Sequence, residues 1–151
     1  MSSYADRGAG EHSALQTAAL LVGAVFLAVG VLGFVPGITT HYGDMSGAGR
    51  DSMAKLLGVF QVSVLHNIVH LLFGFIGIAL SRTNAAARSF LVGGGIVYLV
   101  LWIYGLAIDL HSSANFVPVN TADNWLHFLL GAGMVALGVA LGKRSAAAVA
   151  A

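Results

Sequence analysis

The stretch ALQTAALLVGAVFLAVGVLGFV, residues 14–35, decides the class of this protein, because its 22 residues include no acidic or basic side chain. Three further runs share this property, at residues 56–80, 90–108 and 125–142. A helix of about 20 residues, rising about 1.5 Å per residue, crosses a hydrocarbon core of about 30 Å. Since the backbone must satisfy its own hydrogen bonds in lipid, the four runs predict four membrane-spanning α-helices.

The composition indicates the same class. Of 151 residues, 58% are hydrophobic and 9% are charged, whereas a soluble domain carries about 25% charged residues. This balance excludes a soluble globular enzyme, a disordered chain and a nucleic-acid-binding protein. The lipid bilayer is therefore the expected partner, and a membrane protein partner or a homo-oligomer is compatible with the sequence. The absence of cysteine excludes disulfides and thiolate metal sites.

The apolar runs together predict an all-α, integral membrane four-helix bundle over residues 14–142, flanked by disordered tails at residues 1–13 and 143–151. Glycine accounts for 20 residues and is concentrated in the predicted spans. Small side chains let helix backbones approach each other in lipid, where no hydrophobic force drives association. The predicted small-residue seams consist of Gly30, Gly33 and Gly37, of Gly93, Gly94 and Gly95, and of Ala132, Ala136, Ala140, Gly138 and Gly142.

Polar residues and proline indicate where the helices begin and end. Pro36 marks the end of helix 1. Helix 2 is predicted to begin near Asp51 or Ser52, because short polar side chains cap helix N-termini. For the same reason Thr121 and Asp123 are candidate N-caps of helix 4.

The basic residues predict the orientation. With four spans both termini share a side, and five basic residues fall on that side against two on the other. The positive-inside rule therefore predicts that both termini lie in the cytoplasm. The expected location is the inner (cytoplasmic) membrane. The five residues are Arg7, Arg82, Arg88, Lys143 and Arg144, and the two are Arg50 and Lys55.

Two segments 57 positions apart resemble each other. HNIVHLLFGFIGIAL, residues 66–80, and DNWLHFLLGAGMVAL, residues 123–137, are identical at six of fifteen positions. They share an Asn-x-x-His element that begins at Asn67 and at Asn124, and apolar composition does not explain matched polar residues. The match is consistent with two copies of a two-helix hairpin in parallel orientation.

The polar residues of helix 2 share one face at about 100° per residue, and those of helix 4 share a similar arc. A polar side chain inside a span is a functional-site hypothesis, because its burial in hydrocarbon costs free energy unless it has a partner. We expect these faces to form a polar pocket near the outer face of the membrane. The candidate residues are His66, Asn67, His70, Asp109, His111, Asp123, Asn124 and His127.

Three segments carry a family resemblance: GFVPGITTHYGD from residue 33, LLGVFQVSVLHNIVHLLFGFIGIALSR from residue 56, and GGGIVYLVLWIYGLAIDLHSSANFVPVNTADNWLHFLLG from residue 93. They resemble the bacterial, largely actinobacterial membrane proteins grouped as domain of unknown function 4383 (DUF4383). The HNIVH and DNWLH elements are the most specific parts. The resemblance implies a four-helix membrane protein, and it assigns no activity, ligand or catalytic residue.

Several interpretations of the histidines stay open. They can act as structural hydrogen-bonding groups between helices. His66 and His70, four residues apart, have the spacing at which two imidazoles can bind one metal, with His127, His111 or an outer-loop aspartate completing the set. Histidines can also bind haem, or form a proton-linked transport pathway or a quinone site. No catalytic residue is assigned, the cofactor is undetermined, and a binding or assembly role is favoured over catalysis.

Overall fold

The described part of the chain folds into four helices and a small sheet. In the computed structural model, residues 12–150 are described, with side chains over residues 12–144. The predicted all-α class is confirmed, because helices make up most of the described chain and the sheet is minor. The helices are α1 (Ala14–Leu32), α2 (Val64–Leu80), α3 (Asn84–Ala107) and α4 (Thr121–Ala150), with a single 3₁₀ turn at Tyr42–Asp44.

The segment between α1 and α2 forms a three-stranded antiparallel sheet in the order β1 (Thr39–Thr40), β2 (Lys55–Leu56) and β3 (Phe60–Gln61). Between β2 and β3, Leu57 and Gly58 adopt left-handed φ angles of 54° and 72°, which reverse the chain.

The start of α2 differs from the sequence prediction. The prediction that this helix begins near Asp51 or Ser52 is wrong, because α2 begins at Val64. The helix is capped by the Ser63 side chain, which accepts a hydrogen bond from the His66 amide. The apolar run from residue 56 therefore contains a β-hairpin before it contains a helix. Apolar character alone does not distinguish a short buried strand from a helix, and the turn at Leu57 decides the local structure.

Among the described residues, three helices are long and apolar enough to cross a membrane, namely α1, α3 and the Thr121–Arg144 part of α4. The fourth, α2, is apolar but has 17 residues, a length of about 26 Å. All four helices expose large apolar side chains on their outer faces, which suits contact with lipid rather than water. Examples that are at least half exposed are Leu21, Phe75, Ile96 and Leu129.

The two predicted tails have different outcomes. The N-terminal tail, residues 1–13, lies outside the described residues except for its last two, of which Ser13 caps α1 by accepting a hydrogen bond from the Gln16 amide. At the other end, α4 runs to Ala150, so residues 143–150 continue the helix. A disordered tail was predicted for residues 143–151, although the alanine-rich composition of this segment favours a helix.

The four helices pack as two hairpins. α1 lies mainly against α2, and α3 lies mainly against α4. The hairpins meet in one apolar core, in which Phe73 of α2 contacts Phe26 of α1 and both Phe90 and Tyr98 of α3 through their rings. The buried members of this core are Leu15, Ala19, Phe26, Ala87, Phe90, Leu91, Tyr98 and Met134.

Each hairpin is held together by a close contact between glycines. A Cβ atom added at Gly74 would lie 2.8 Å from the carbonyl oxygen of Gly23, and one added at Gly131 would lie 2.9 Å from that of Gly95. Gly74 and Gly131 occupy equivalent positions in the 57-residue match. The two hairpins therefore use the same backbone contact, as expected for two copies of one unit.

Other predicted seam positions have different environments. Gly138 does pack closely, since an added Cβ would lie 2.7 Å from Val92 Cγ2. Ala136 and Ala140 are exposed, and a Cβ at Gly93 would meet nothing within 4 Å. Their assignment to a seam between helices of this chain is wrong. Gly93 faces away from the contact that Gly95 makes, and Ala136 and Ala140 lie about 200° around α4 from Gly138.

We expect Gly95→Ala to lower the free energy of unfolding by about 1–3 kcal/mol, because its methyl group would lie 2.8 Å from Gly131 O and 2.9 Å from Val135 N, which are backbone atoms. Gly93→Ala is the matched control on the same helix, and it should be neutral or gain up to about 1 kcal/mol of helix propensity. Thermal melting in a mild detergent, followed by circular dichroism, measures both. Equal melting temperatures for the two variants would contradict the close contact.

Candidate functional site

The three histidines of the predicted cluster lie together near the loop end of the helices, the end that carries residues 33–63 and 108–120. His66 and His70 are on the first two turns of α2, and His127 is on the second turn of α4. Each is only 6% exposed. The polar face predicted for α2 therefore does point into the protein.

The rings of His66 and His70 are stacked, with centroids 4.6 Å apart and planes inclined by 7°. His66 Nδ1 lies 3.2 Å from the carbonyl oxygen of Pro118, and His70 Nδ1 lies 3.1 Å from that of His66. A carbonyl oxygen can only accept a hydrogen bond, so each Nδ1 carries the proton and donates. In a neutral ring this tautomer leaves Nε2 as a hydrogen-bond acceptor.

His127 is held by an aromatic contact rather than by a hydrogen bond to Nδ1. Its ring meets that of Tyr98 edge to face, with centroids 5.2 Å apart. Tyr98 in turn contacts Phe26, whose ring also contacts His70. The Nδ1 atom of His127 is buried without a hydrogen-bond partner. Burial of a polar atom without a hydrogen-bond partner costs about 1–3 kcal/mol of stability. A bound group that formed a hydrogen bond with His127 Nδ1 would recover part of this free energy.

A cavity of about 60 Å³ lies among these side chains. Its size suits a few water molecules or one small chemical group. Its volume is well below the roughly 300–1,000 Å³ of ordinary cofactor pockets. Its lining is mostly apolar, and its polar groups are imidazoles and phenols. The lining residues are His66, Val69, His70, Tyr98, Leu101, Tyr104, Phe116, Val117, Val119 and His127.

The two asparagines of the repeat do not line this cavity. Asn67 packs directly over Gly33, which follows α1, and Asn124 packs directly over Gly105 of α3. Asn67 Nδ2 also donates to Met45 Sδ at 3.9 Å. The amide groups therefore fill equivalent gaps between the helices of each hairpin, where any Cβ on the glycine would collide with them.

Asp123 is buried and stabilises the start of α4. Asn120 Oδ1 accepts a hydrogen bond from the Asp123 amide at 3.0 Å, and Asp123 Oδ2 accepts one from the Asn120 amide at 2.8 Å. This reciprocal pair is a capping box, so Asn120 is the N-cap and the prediction of Thr121 or Asp123 in that position is wrong. The spacing Asn-x-x-Asp was the signal in the sequence. Asp123 Oδ2 also accepts the amide of Gln61 at 3.0 Å.

The repeat positions His66 and Asp123 make reciprocal contacts between the hairpins. His66 donates to the backbone of Pro118, which precedes α4, whereas Asp123 accepts from the backbone of Gln61, which precedes α2. Each hairpin thus forms a hydrogen bond with the segment that precedes the second helix of the other hairpin. The amino-acid sequence does not indicate this exchange, because the contacts are to backbone atoms, which every residue carries.

The other two candidates are not part of the cluster. Asp109 is exposed and accepts a hydrogen bond from the His111 amide at 2.9 Å, within a local turn. His111 lines a separate open depression beside Arg50 and Lys55. Tyr98 and Tyr104 are cavity residues that the site prediction omitted, and their spacing of six positions along α3 gave no helical-face signal that linked them.

No group of three or more His, Asp or Glu side chains in the described part of the chain is arranged so that it could bind a metal ion. The stacking of His66 on His70 explains this for α2. Parallel imidazole faces direct their nitrogen lone pairs side by side, whereas two ligands of one ion must converge on a point about 2 Å from each nitrogen.

The comparisons with known proteins give one match. A model of the family described as Domain of unknown function (DUF4383) matches residues 16–140, which include all four helices in large part. No curated protein and no solved structure matches the chain.

We expect Asp123→Ala to destabilise the protein by about 2–3 kcal/mol, because it leaves the amides of Asn120 and Gln61 without their acceptor. Asp109→Ala removes a carboxylate from an exposed turn and should change stability by less than about 0.5 kcal/mol. Asp123→Asn keeps an amide oxygen as an acceptor and should fall between them. The three variants are compared by thermal melting in detergent, and an Asp123→Ala variant as stable as Asp109→Ala would contradict the role of the carboxylate.

Proposed function

The chain belongs to the DUF4383 family, and we propose that it is a multi-pass membrane protein that binds a small hydrogen-bond donor in the cavity between α2, α3 and α4. The name of the family states no activity, so the proposal rests on the site itself. Apolar helices compatible with a membrane protein are the established part of this description.

The observation that carries the proposal is the arrangement of His66, His70 and His127 around one small cavity. Two of these rings have Nδ1 bound to a carbonyl oxygen, which leaves Nε2 as an acceptor, and the third has a buried Nδ1 without a partner. Three imidazoles in an apolar wall are costly to bury unless something is bonded to them. A ligand that donates hydrogen bonds would satisfy the Nε2 atoms of His66 and His70.

We assign binding rather than catalysis because of the chemistry of the cavity wall. Its described polar groups are imidazoles and phenols, without a carboxylate, an amine or a hydroxyl nucleophile of serine or threonine beside them. Such a wall can orient a ligand through hydrogen bonds and aromatic contacts. Haem is disfavoured because about 60 Å³ does not accommodate a porphyrin.

The orientation is part of the same proposal. Described basic residues at the end where α2 meets α3 and where α4 ends are Arg82, Arg88, Lys143 and Arg144. Two others, Arg50 and Lys55, belong to the loop end. This bias supports cytoplasmic termini in the inner membrane, with the histidine cavity near the outer face.

We expect Ser113→Cys, in an exposed loop-end segment, to react with a membrane-impermeant thiol reagent added to intact cells. Ala85→Cys, exposed at the opposite end, should react only after the cells are permeabilised. The wild-type chain contains no cysteine and gives the blank. The reverse pattern of labelling would overturn the orientation and leave the fold unaffected.

The binding proposal is tested by identifying the small molecules that copurify after mild detergent extraction. We expect one species at near stoichiometric amount in the wild type, released on denaturation and detected by mass spectrometry. The His70→Leu, His127→Leu double variant should lose it, because it removes the acceptor of His70 and the unpartnered nitrogen of His127 from the cavity wall. His111→Leu, which changes an exposed histidine outside the cavity, is the control and should retain it. Equal recovery from all three proteins would contradict a histidine-dependent site.

A further inference from the structure

We propose that the ligand is a lipid-soluble molecule with a neutral hydroxyl head group, and that it enters from the bilayer through a lateral opening between α2 and α3. This inference rests on the proposed binding function and specifies the ligand class and its route. Five observations support it: the exposure of the cavity wall, the sparse packing between α2 and α3, the closure of the loop end, the depth of the histidines and the absence of charge around the described cavity.

The cavity wall reaches the outer surface of the helices. Val69 of α2 is 41% exposed and Leu101 of α3 is 36% exposed, although both line the cavity. Phe116, above them in the loop, is 58% exposed and also lines it. Three apolar side chains thus form the rim of an opening on the face that the helices present to lipid.

The gap between α2 and α3 follows from the hairpin architecture. α2 packs mainly on α1 and α3 mainly on α4, so α2 and α3 contact each other little. Their aromatic contacts, through Phe73, lie one turn further along α2 than His70 and form the floor below the cavity. The two helices are therefore joined below the histidines and open beside them.

The water-facing route is closed by the loops. The Gly49 amide donates to the Phe116 carbonyl oxygen at 2.6 Å, and Asn120 Nδ2 donates to the Val59 carbonyl oxygen at 2.7 Å. These bonds tie the segment before α4, which contributes Phe116, Val117 and Val119 to the cavity wall, to the segment before α2. Pro118, within the same segment, accepts the hydrogen bond from His66. A ligand that arrived from water would have to separate the two loops.

The depth of the histidines matches the position of an amphiphile's head group. His70 and His127 are each the seventh residue of their helix, so they lie about 9 Å from the loop end of the helices. Below Val69, the same face of α2 continues through Leu72 and Ile76, which are both at least half exposed. An apolar tail can lie along this face while the head group reaches the cavity.

The head group must be a neutral donor. The Nε2 atoms of His66 and His70 are acceptors in the tautomer that their carbonyl partners impose. The described lining contains no Asp, Glu, Lys or Arg to balance a charge, and burial of an unpaired charge in this setting is very costly. An alcohol or phenol supplies the donor without a charge, whereas an ammonium or a carboxylate does not.

The hydroxyl is tested with 4-octylphenol and its methyl ether, 4-octylanisole, added to the full chain in phosphatidylcholine nanodiscs. Binding is followed by the ¹⁵N resonances of the histidine rings, since Nε2 shifts when it accepts a hydrogen bond. We expect a saturable shift with 4-octylphenol and about tenfold weaker binding of the ether, which lacks the donor. Equal affinity for the two compounds would overturn recognition of the hydroxyl.

The route is tested with Leu101→Trp, which fills the rim, against Val100→Trp on the neighbouring, exposed position outside the cavity. We expect 4-octylphenol to bind about tenfold more weakly or more slowly to the first variant and normally to the second. Val69→Trp against Ile68→Trp repeats the comparison on α2, and thermal melting verifies that the variants fold. Normal binding to both rim variants would overturn lateral entry.

The outcomes separate this inference from the function on which it rests. A copurifying species that depends on His70 and His127 but has no apolar tail would refute lateral entry of an amphiphile and leave the binding function intact. The absence of any histidine-dependent species, together with no ¹⁵N shift from 4-octylphenol, would refute both.

Discussion

The close approach of two glycine pairs, Gly23 with Gly74 and Gly95 with Gly131, is the constraint on which the rest of the structure depends. In each hairpin it fixes which face of the second helix meets the first. His70 stands four residues before Gly74, and His127 stands four residues before Gly131, so each histidine lies on the same face one turn away. Backbone contact between glycines therefore also directs the imidazoles into the interior.

The positions of the polar residues along the helices could be interpreted from the sequence. The histidine cluster was predictable because polar residues at helical spacing report a single face, and in lipid that face must turn inward. The shared Asn-x-x-His element indicated equivalent roles, and Asn67 and Asn124 do occupy equivalent places against Gly33 and Gly105. Periodicity, however, gives the direction of a side chain and not its neighbour, so it did not reveal that the asparagines lie outside the cavity.

The parts that could not be predicted depend on turns and on backbone partners. A left-handed turn at Leu57 converts an apolar run into a hairpin, and composition does not distinguish the two structures. Asp109 and His111 are near the cluster in sequence, yet a local turn satisfies the carboxylate and directs the imidazole elsewhere. The hydrogen bond from His66 to Pro118 links an imidazole to a carbonyl oxygen, a group that every residue carries.

The reciprocal bonds of His66 and Asp123 have a consequence for the biosynthesis of the chain. Synthesis proceeds from the N-terminus, so α1 and α2 are available to the membrane before α3 and α4 exist. Until then the imidazole of His66 lacks Pro118, and the amide of Gln61 lacks the carboxylate of Asp123. Each unsatisfied polar group costs about 1–3 kcal/mol when buried. Docking of the second hairpin, which buries these groups, therefore has to supply their two partners at the same time.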